Sequence, residues 1–229
     1  LTNGINNIYM WGENTSGQIL RDMIQMYVGK PFKQIHLKTI QSAYNHLNQY
    51  FTFVDNKKLY TPQELFEIFD SVKCDVCFID PFTGLNREIS HNANYEFLNQ
   101  SRDFCNQTKK SLFISSHPNS ESGRAGNLYA DSHEWAGHLK APLKASIEGG
   151  KSFLNRTDNM MTIHRLVAHP TMKFETMITV EKIKDKETGG QLTNLNEPLL
   201  FSYNNGLGFT MQGVDNLKKY RLQTTQTRI

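Results

Sequence analysis

Short apolar runs alternate along the chain with segments whose apolar residues recur at helical spacing. NNIYMWGEN predicts a strand over Ile8 to Trp11, closed by a polar turn. TSGQILRDMIQMYVG begins on a capping Thr or Ser, carries Ile19, Met23, Ile24, Met26 and Tyr27 on helical spacing, and stops at Gly29 and Pro31. Residues 38–50 predict a second helix, and FTFVD, 51–55, a strand. TPQELFEIFDSV opens with Thr61 as cap and Pro62 at the first helical position, a strong helix start. CDVCFID, 74–80, is a continuous apolar strand ending on an acid. A helix near 91–108 and a buried strand SLFISS, 111–116, follow, and the strand runs straight into His117-Pro118. Beyond an irregular segment, 118–157, the runs MMTIHRL, FETMITVEKI and PLLFSYN predict three more strands.

Alternating strands and helices in the first half argue for a parallel α/β sheet, and consecutive strands in the second for antiparallel pairing. No internal repeat or low-complexity linker divides the chain, so one domain is expected over residues 1–212. The polar residues 213–229 are expected to form a mobile tail.

Composition narrows the class. The 229 residues are 38% hydrophobic and 21% charged, which suits a globular fold with a substantial core. No apolar run approaches the roughly 18 residues of a membrane span, and no charged-then-apolar secretory leader is seen. A net charge of +3 does not demand nucleic acid but allows a local basic patch. Three cysteines point to a reducing compartment rather than a disulfide framework. Cys74 and Cys77 make a C-x-x-C, but inside the apolar run VKCDVCFID they read as buried strand residues. HEWAGH places His133 and His138 five residues apart, which keeps them off one helical face and excludes a zinc-protease helix.

ASIEGGKS, residues 145–152, fits a relaxed phosphate-loop pattern. Such a loop needs a buried strand before it and an apolar helix after it. The preceding HEWAGHLKAPLK is no buried strand, and FLNRTDNMMTIHRL predicts a short polar turn followed by a strand. A second chemical pattern sits at strand ends. In open α/β sheets ligands bind beyond the carboxyl ends of the strands, and three strands here end in Glu13, Asp80 and His117. An apolar run ending in Asp suits a Mg²⁺ held through its water shell. A neighbouring acid can orient an attacking water, and a third polar tip can sense a terminal phosphate.

In this order the elements resemble the RecA-like motor domain of DnaB-type replicative helicases, most closely the Twinkle-like mitochondrial and phage group. The likeness runs from about residue 5 to about residue 210. IYMWGEN with QILRDMI resembles the family's strand–Glu–helix element, CDVCFIDPFTGL its Walker B strand, and LFISSHP the strand leading to a His-Pro phosphate sensor. KASIEGGKSFLNRTDNMMTIHR resembles its DNA-contacting loop, and VEKIKDKETG the element that reaches a neighbour's nucleotide. The resemblance implies a RecA-like three-layer fold, with a mostly parallel central sheet and antiparallel strands toward the C-terminus. It implies a ring, a hexamer, that couples ATP hydrolysis with Mg²⁺ to translocation on single-stranded DNA.

The implied roles follow residue by residue. Glu13 polarises water, Asp80 holds the Mg²⁺ shell and His117 reads the γ-phosphate. Lys182 and Lys184 contact the neighbouring subunit's nucleotide. Glu148, Gly149, Gly150 and Lys151 track DNA, supported by Asn155 and Arg156, with Asn86 and Arg87 as a second channel element. A glycine-bearing loop with one lysine suits a grip on phosphates rather than bases. The resemblance also implies a primase partner, no membrane, and a bacterial or phage-infected cytoplasm, with the mitochondrial matrix as the alternative.

Two departures stand out. The family's first strand and Walker A loop precede the Glu-bearing strand and are not found here, so this chain alone is expected not to hydrolyse ATP. The usual arginine finger is replaced by lysine, which lacks the bidentate fork. A catalytically inactive RecA-like nucleic-acid-binding or scaffolding module, and a recombinase-type filament ATPase, are the alternative readings.

Overall fold

The computed structural model describes residues 4–119 and 127–222, except 168, 170, 186, 188, 189, 195 and 196. Its first half is β1 (Asn7–Trp11), α1 (Ser16–Val28), α2 (Leu37–Leu47), β2 (Phe51–Phe53), α3 (Pro62–Ser71), β3 (Val76–Asp80), α4 (His91–Thr108) and β4 (Ser111–Ile114). The four strands form a parallel sheet in the order β2-β1-β3-β4. The second half holds α5 (Lys151–Arg156), β5 (Asn159–Arg165), β6 (Glu175–Ile183), β7 (Leu199–Tyr203) and β8 (Phe209–Thr210). These strands make a separate antiparallel sheet, β5-β6-β7-β8, giving the expected parallel and antiparallel parts.

Local chemistry explains the helix starts. Thr15 and Thr61 each cap through a reciprocal box, with Gln18 and Glu64 returning a hydrogen bond to the cap backbone. The hydrogen bonds that Glu64 accepts from Thr61, with Lys58 nearby, hold its carboxyl below the usual range. Gly29 closes α1 in the left-handed conformation at φ 73°.

The parallel sheet has two unlike faces. Ile8, Met10, Val54, Cys77 and Ile79 point one way and bury against α3 and α4 with Leu65, Phe69, Phe97 and Phe104. The two thiols of Cys74 and Cys77 lie buried 3.8 Å apart inside this core, as the apolar reading expects, and burial pushes the Cys77 thiol up. The opposite face carries an aromatic row, one ring per strand. Phe53, Tyr9, Phe78 and Phe113 sit in register, with centroids 6.1, 4.2 and 5.0 Å apart. Burial raises the Tyr9 hydroxyl to about 12, yet Phe113 at the sheet edge remains 49% exposed. α1 and α2 cover only the Phe51 end of this face, through a core of Ile24, Val28, Ala43 and Leu47.

Two sequence expectations change. The residues after Gly150 form a six-residue helix, α5, not a polar turn, because Phe153 turns inward at 2% exposure to join the main core. The expected tail is partly docked: the Leu222 amide donates to the Tyr27 carbonyl at 3.0 Å, and Leu222 packs on the α1–α2 core. Arg221 pairs with Asp215 at 2.6 Å. Residues 223–229 lie outside the described residues. HEWAGH forms turns, with His138 buried and ring-to-ring with His164.

Burial pulls the His164 imidazole below its ordinary value. The unfolded chain therefore takes up that proton first, so His164 favours folding fully above about pH 6.5 and loses that contribution as pH falls toward the folded value. His164→Gln is expected to flatten the urea-midpoint-versus-pH curve below about pH 6.5; an unchanged slope would assign the acid sensitivity elsewhere.

Candidate functional site

Three strands run parallel and in register, so their carboxyl ends share one rim. Trp11 lies opposite Asp80, and Ile79 opposite Ile114. The ladder continues past the strands: Gly12 N–H donates to the Asp80 carbonyl at 2.7 Å, and Ser115 N–H to the Ile79 carbonyl at 2.9 Å. Gly12 permits the close approach, since a Cβ there would stand 3.2 Å from Pro81 Cδ and 3.4 Å from Gly84 Cα.

The three strand-end residues meet on this rim. His117 Nε2 lies 2.9 Å from Glu13 Oε1, with both side chains more than half exposed. The Ser115 hydroxyl donates to Asp80 Oδ1. Ser115 was not singled out by sequence reasoning; its signal was a hydroxyl on the strand beside the acid. A carboxylate that can accept a proton from water thus sits against an imidazole, beside a second carboxylate oriented by a hydroxyl. No group of three or more metal-ligating side chains occurs among the described residues. That donor set suits Mg²⁺, which keeps several waters and takes phosphate oxygens, with Asp80 as the protein's carboxylate.

The glycine loop is tied to the same rim. Glu148 N–H donates to the His117 carbonyl at 2.9 Å, and the Ser116 hydroxyl donates to the Glu148 carbonyl at 3.1 Å. Asn119 N–H reaches the Ser146 carbonyl at 2.7 Å, and Pro118 bridges Ile147 in antiparallel sense. His117 and Glu148 are therefore neighbours in one short ladder, although 31 positions apart by their residue numbers.

The loop residues divide by environment. Gly149, at φ 94°, lies against Phe153 and Phe82, and a Cβ there would meet Phe153 Cε2 at 2.7 Å. Gly150, at φ 71°, faces open space. Glu148, Lys151 and Asn155 are exposed. Arg156 instead stacks over Tyr95 at 4.4 Å with its Nε buried and without a hydrogen-bond partner among the described residues.

Of the second element, Asn86 is exposed but Arg87 turns inward. It stacks over Phe82 at 4.4 Å and donates to Asn94 Oδ1 at 2.6 Å. The buried Asn94 donates in turn to the Gly149 carbonyl at 3.3 Å. Burial lowers the Arg87 guanidinium, with Glu148 opposing. Arg87 thus braces the glycine loop from beneath.

Lys182 and Lys184 are engaged within their own chain. Lys182 Nζ donates to the carbonyls of Leu154 and Thr157 at 2.6 Å each, satisfying the carboxyl end of α5, and burial lowers its pKa. Lys184 pairs with Asp158 at 3.0 Å. Three residues of the segment resembling the neighbour-reaching element, 186, 188 and 189, lie outside the described residues.

No protein-family model matches the sequence, and no curated protein does. Solved structures do match by shape. One, described as the ATPase domain of a larger protein, superposes at TM-score 0.70 and 9% identity, over 92% of this chain and 75% of that one. A DnaB-like replicative helicase, described with its interactions with primase, superposes at TM-score 0.68 and 9% identity, over 91% of this chain and 50% of that one. The fold is that of DnaB-type RecA-like ATPase domains. At this identity the likeness is one of fold, and the chain spans about half the length of the second of these proteins. Among the described residues no helix is long and apolar enough to cross a membrane.

Proposed function

We propose that the chain is the motor core of a ring-forming, ATP-dependent DNA helicase of the Twinkle-like group, moving along single-stranded DNA in a bacterial or phage-infected cytoplasm. The observation that carries this reading is the convergence of Glu13, Asp80 and His117 on one rim, with the His117 backbone bonded to the glycine loop. Glu13 accepts the proton of the attacking water. Asp80, oriented by the Ser115 hydroxyl, would hold Mg²⁺ through its water shell. His117 exchanges its contact with Glu13 for a terminal phosphate oxygen. Bound Mg²⁺ supplies charge neutralisation of the phosphates. Motion of His117 passes to Glu148 through their shared ladder, so that Lys151 grips or releases a phosphate of the threaded strand. The hexameric ring belongs to this proposal, as does the primase partner, which draws on the second structural neighbour.

We expect no Mg²⁺-dependent ATP hydrolysis from the rim residues of this chain alone, because turnover also needs a phosphate-holding loop. Topology supports one place for it. Among the described residues the outer edges of β4 and β5 are both unpaired. Crossovers β2–β3 and β3–β4 put α3 and α4 on one face, and β1–β2 runs the opposite way and puts α1 and α2 on the other. A right-handed strand–loop–helix unit pairing with β4 would lay its helix on the half-exposed aromatic row and its loop at the rim. Parallel sheets are normally covered on both faces.

Lys151→Ala tests the loop assignment. Single-strand affinity should fall, and the slope of log K against log salt should shrink by about 0.7, one phosphate contact. Nucleotide binding at the rim should stay unchanged; equal loss of both would contradict the assignment. The inactive scaffold reading is favoured by one observation, the commitment of Lys182 and Lys184 within their own chain.

A further inference from the structure

Positive charge gathers at the carboxyl end of α1, away from the rim. The sequence contains no acidic residue from Met23 to Val54, and none from Asn216 to Leu222. The fold brings these two stretches together. The Leu222 amide donates to the Tyr27 carbonyl at 3.0 Å, and Leu222 packs on the α1–α2 core. The Arg221 side chain lies over Gly29, where a Cβ would stand 2.9 Å from Arg221 Cδ. Asp215, the last acid of the sequence, pairs with Arg221 at 2.6 Å, and the Leu207 carbonyl accepts from the same guanidinium at 2.8 Å.

That leaves lysines without carboxylates. Lys30 follows Gly29 directly, Lys33 lies in the next short turn, and Lys218 and Lys219 share one turn with Arg221, whose N–H points at the Lys218 carbonyl at 3.4 Å. All four are exposed, and none of them is in an ion pair among the described residues. The whole chain has a net charge of +3, so the rest of its surface is close to neutral and this end is not. Lysine is a point charge without the fork of arginine, which suits phosphates and reads no base. Exposed lysines unopposed by acids are the electrostatic footprint of a nucleic-acid backbone. The glycine loop is a separate place. It is bonded to His117 at the rim, whereas α1 starts beside the rim at Ser16 and carries the chain 13 residues, about 20 Å, away.

We propose that Lys30, Lys33, Lys218 and Lys219 form a second nucleic-acid surface, which holds the phosphate backbone of a strand without reading its sequence. The docked Leu222 presents Lys218 and Lys219 already fixed against α1, which lowers the ordering cost of binding. The surface does not depend on the motor reading, since a chain that never turned over ATP would keep it.

The test is fluorescence anisotropy in a Lys151→Ala background, which removes the lysine of the glycine loop. The probes are an oligo(dT), a mixed-sequence strand of the same length, and a duplex. Lys30→Ala, Lys218→Ala and Lys219→Ala together should weaken both strands alike by about tenfold or more at low salt, and should shrink the slope of log K against log salt by about 2, three contacts at about 0.7 each. Lys57→Ala, Lys73→Ala and Lys173→Ala together remove the same charge from exposed positions elsewhere and should cost less than about threefold. Leu222→Ser keeps every cation but frees the docked segment, and should also weaken binding. Thermal unfolding of each variant shows that the fold is retained. A greater loss for the duplex than for the strands would support the surface and identify its backbone as double-stranded. Equal losses in the two triple variants, or a Leu222→Ser variant that binds undiminished, would overturn the proposal. So would an acidic peptide or anionic vesicles that bind more tightly than any of the three probes and are lost with the Lys30, Lys218 and Lys219 changes.

Discussion

Glu13→Gln is expected to cut ATP hydrolysis by about 10²–10⁴-fold in a protein that joins this chain to a phosphate-holding loop, the range typical of a lost general base. Nucleotide affinity should change little, because the amide keeps the size and hydrogen-bonding reach of the carboxylate. Glu13 is the first side chain past the close contact at Gly12, its carboxylate is more than half exposed to water, and its hydrogen-bond partner is His117. Single-turnover hydrolysis and equilibrium binding of Mg²⁺-ATP separate the two effects. Retained turnover would remove Glu13 from the chemistry, and joint loss of binding and turnover would make it a binding residue instead.

Gly149→Ala should be the most damaging small change in the glycine loop. At φ 94° an alanine is strained by about 1–3 kcal/mol, and its Cβ would stand 2.7 Å from Phe153 Cε2 and 3.2 Å from Phe82 Cζ. Phe82 and Phe153 are both buried and meet edge to face at 4.8 Å, so neither can yield without disturbing the core beneath Asp80. The variant should lose about 2–6 kcal/mol of stability in urea, summing strain and overpacking, and its single-strand affinity should fall with it. Gly150→Ala is the control. At φ 71° and ψ −154°, a conformation essentially reserved to glycine, alanine costs about 1–3 kcal/mol of strain, but its Cβ meets nothing, so strain is the only loss. Equal losses at the two glycines would mean that the packing under the loop is softer than the contacts imply.

The rim was legible in the sequence because each of its parts is local. An apolar run ending in Glu, Asp or His fixes where a strand stops, and parallel pairing brings the stops together. The capping boxes at Thr15 and Thr61 were likewise written within four residues. What escaped was set by contacts across the chain. α5 forms because Phe153 finds Phe82 and Phe97 in the core, a packing that the polar residues around it do not announce. Lys182 is spaced like a residue that reaches outward, yet two carbonyls at the end of α5 claim it. Arg87 follows Asn86 in an exposed loop, but Phe82 and Asn94 draw it under the glycine turn. Leu222 reads as tail until Tyr27 offers its carbonyl.

The most direct measurement is the NMR response of the chain itself to millimolar Mg²⁺-ATP, read at the His117 imidazole and at the backbone amides. Weak, saturable shifts are expected, confined to residues 12–14, 80–84 and 115–117, with a smaller echo at Glu148 through its bond to the His117 carbonyl. Shifts centred on Gly149 to Ser152 with a silent His117, or none anywhere, would contradict this expectation.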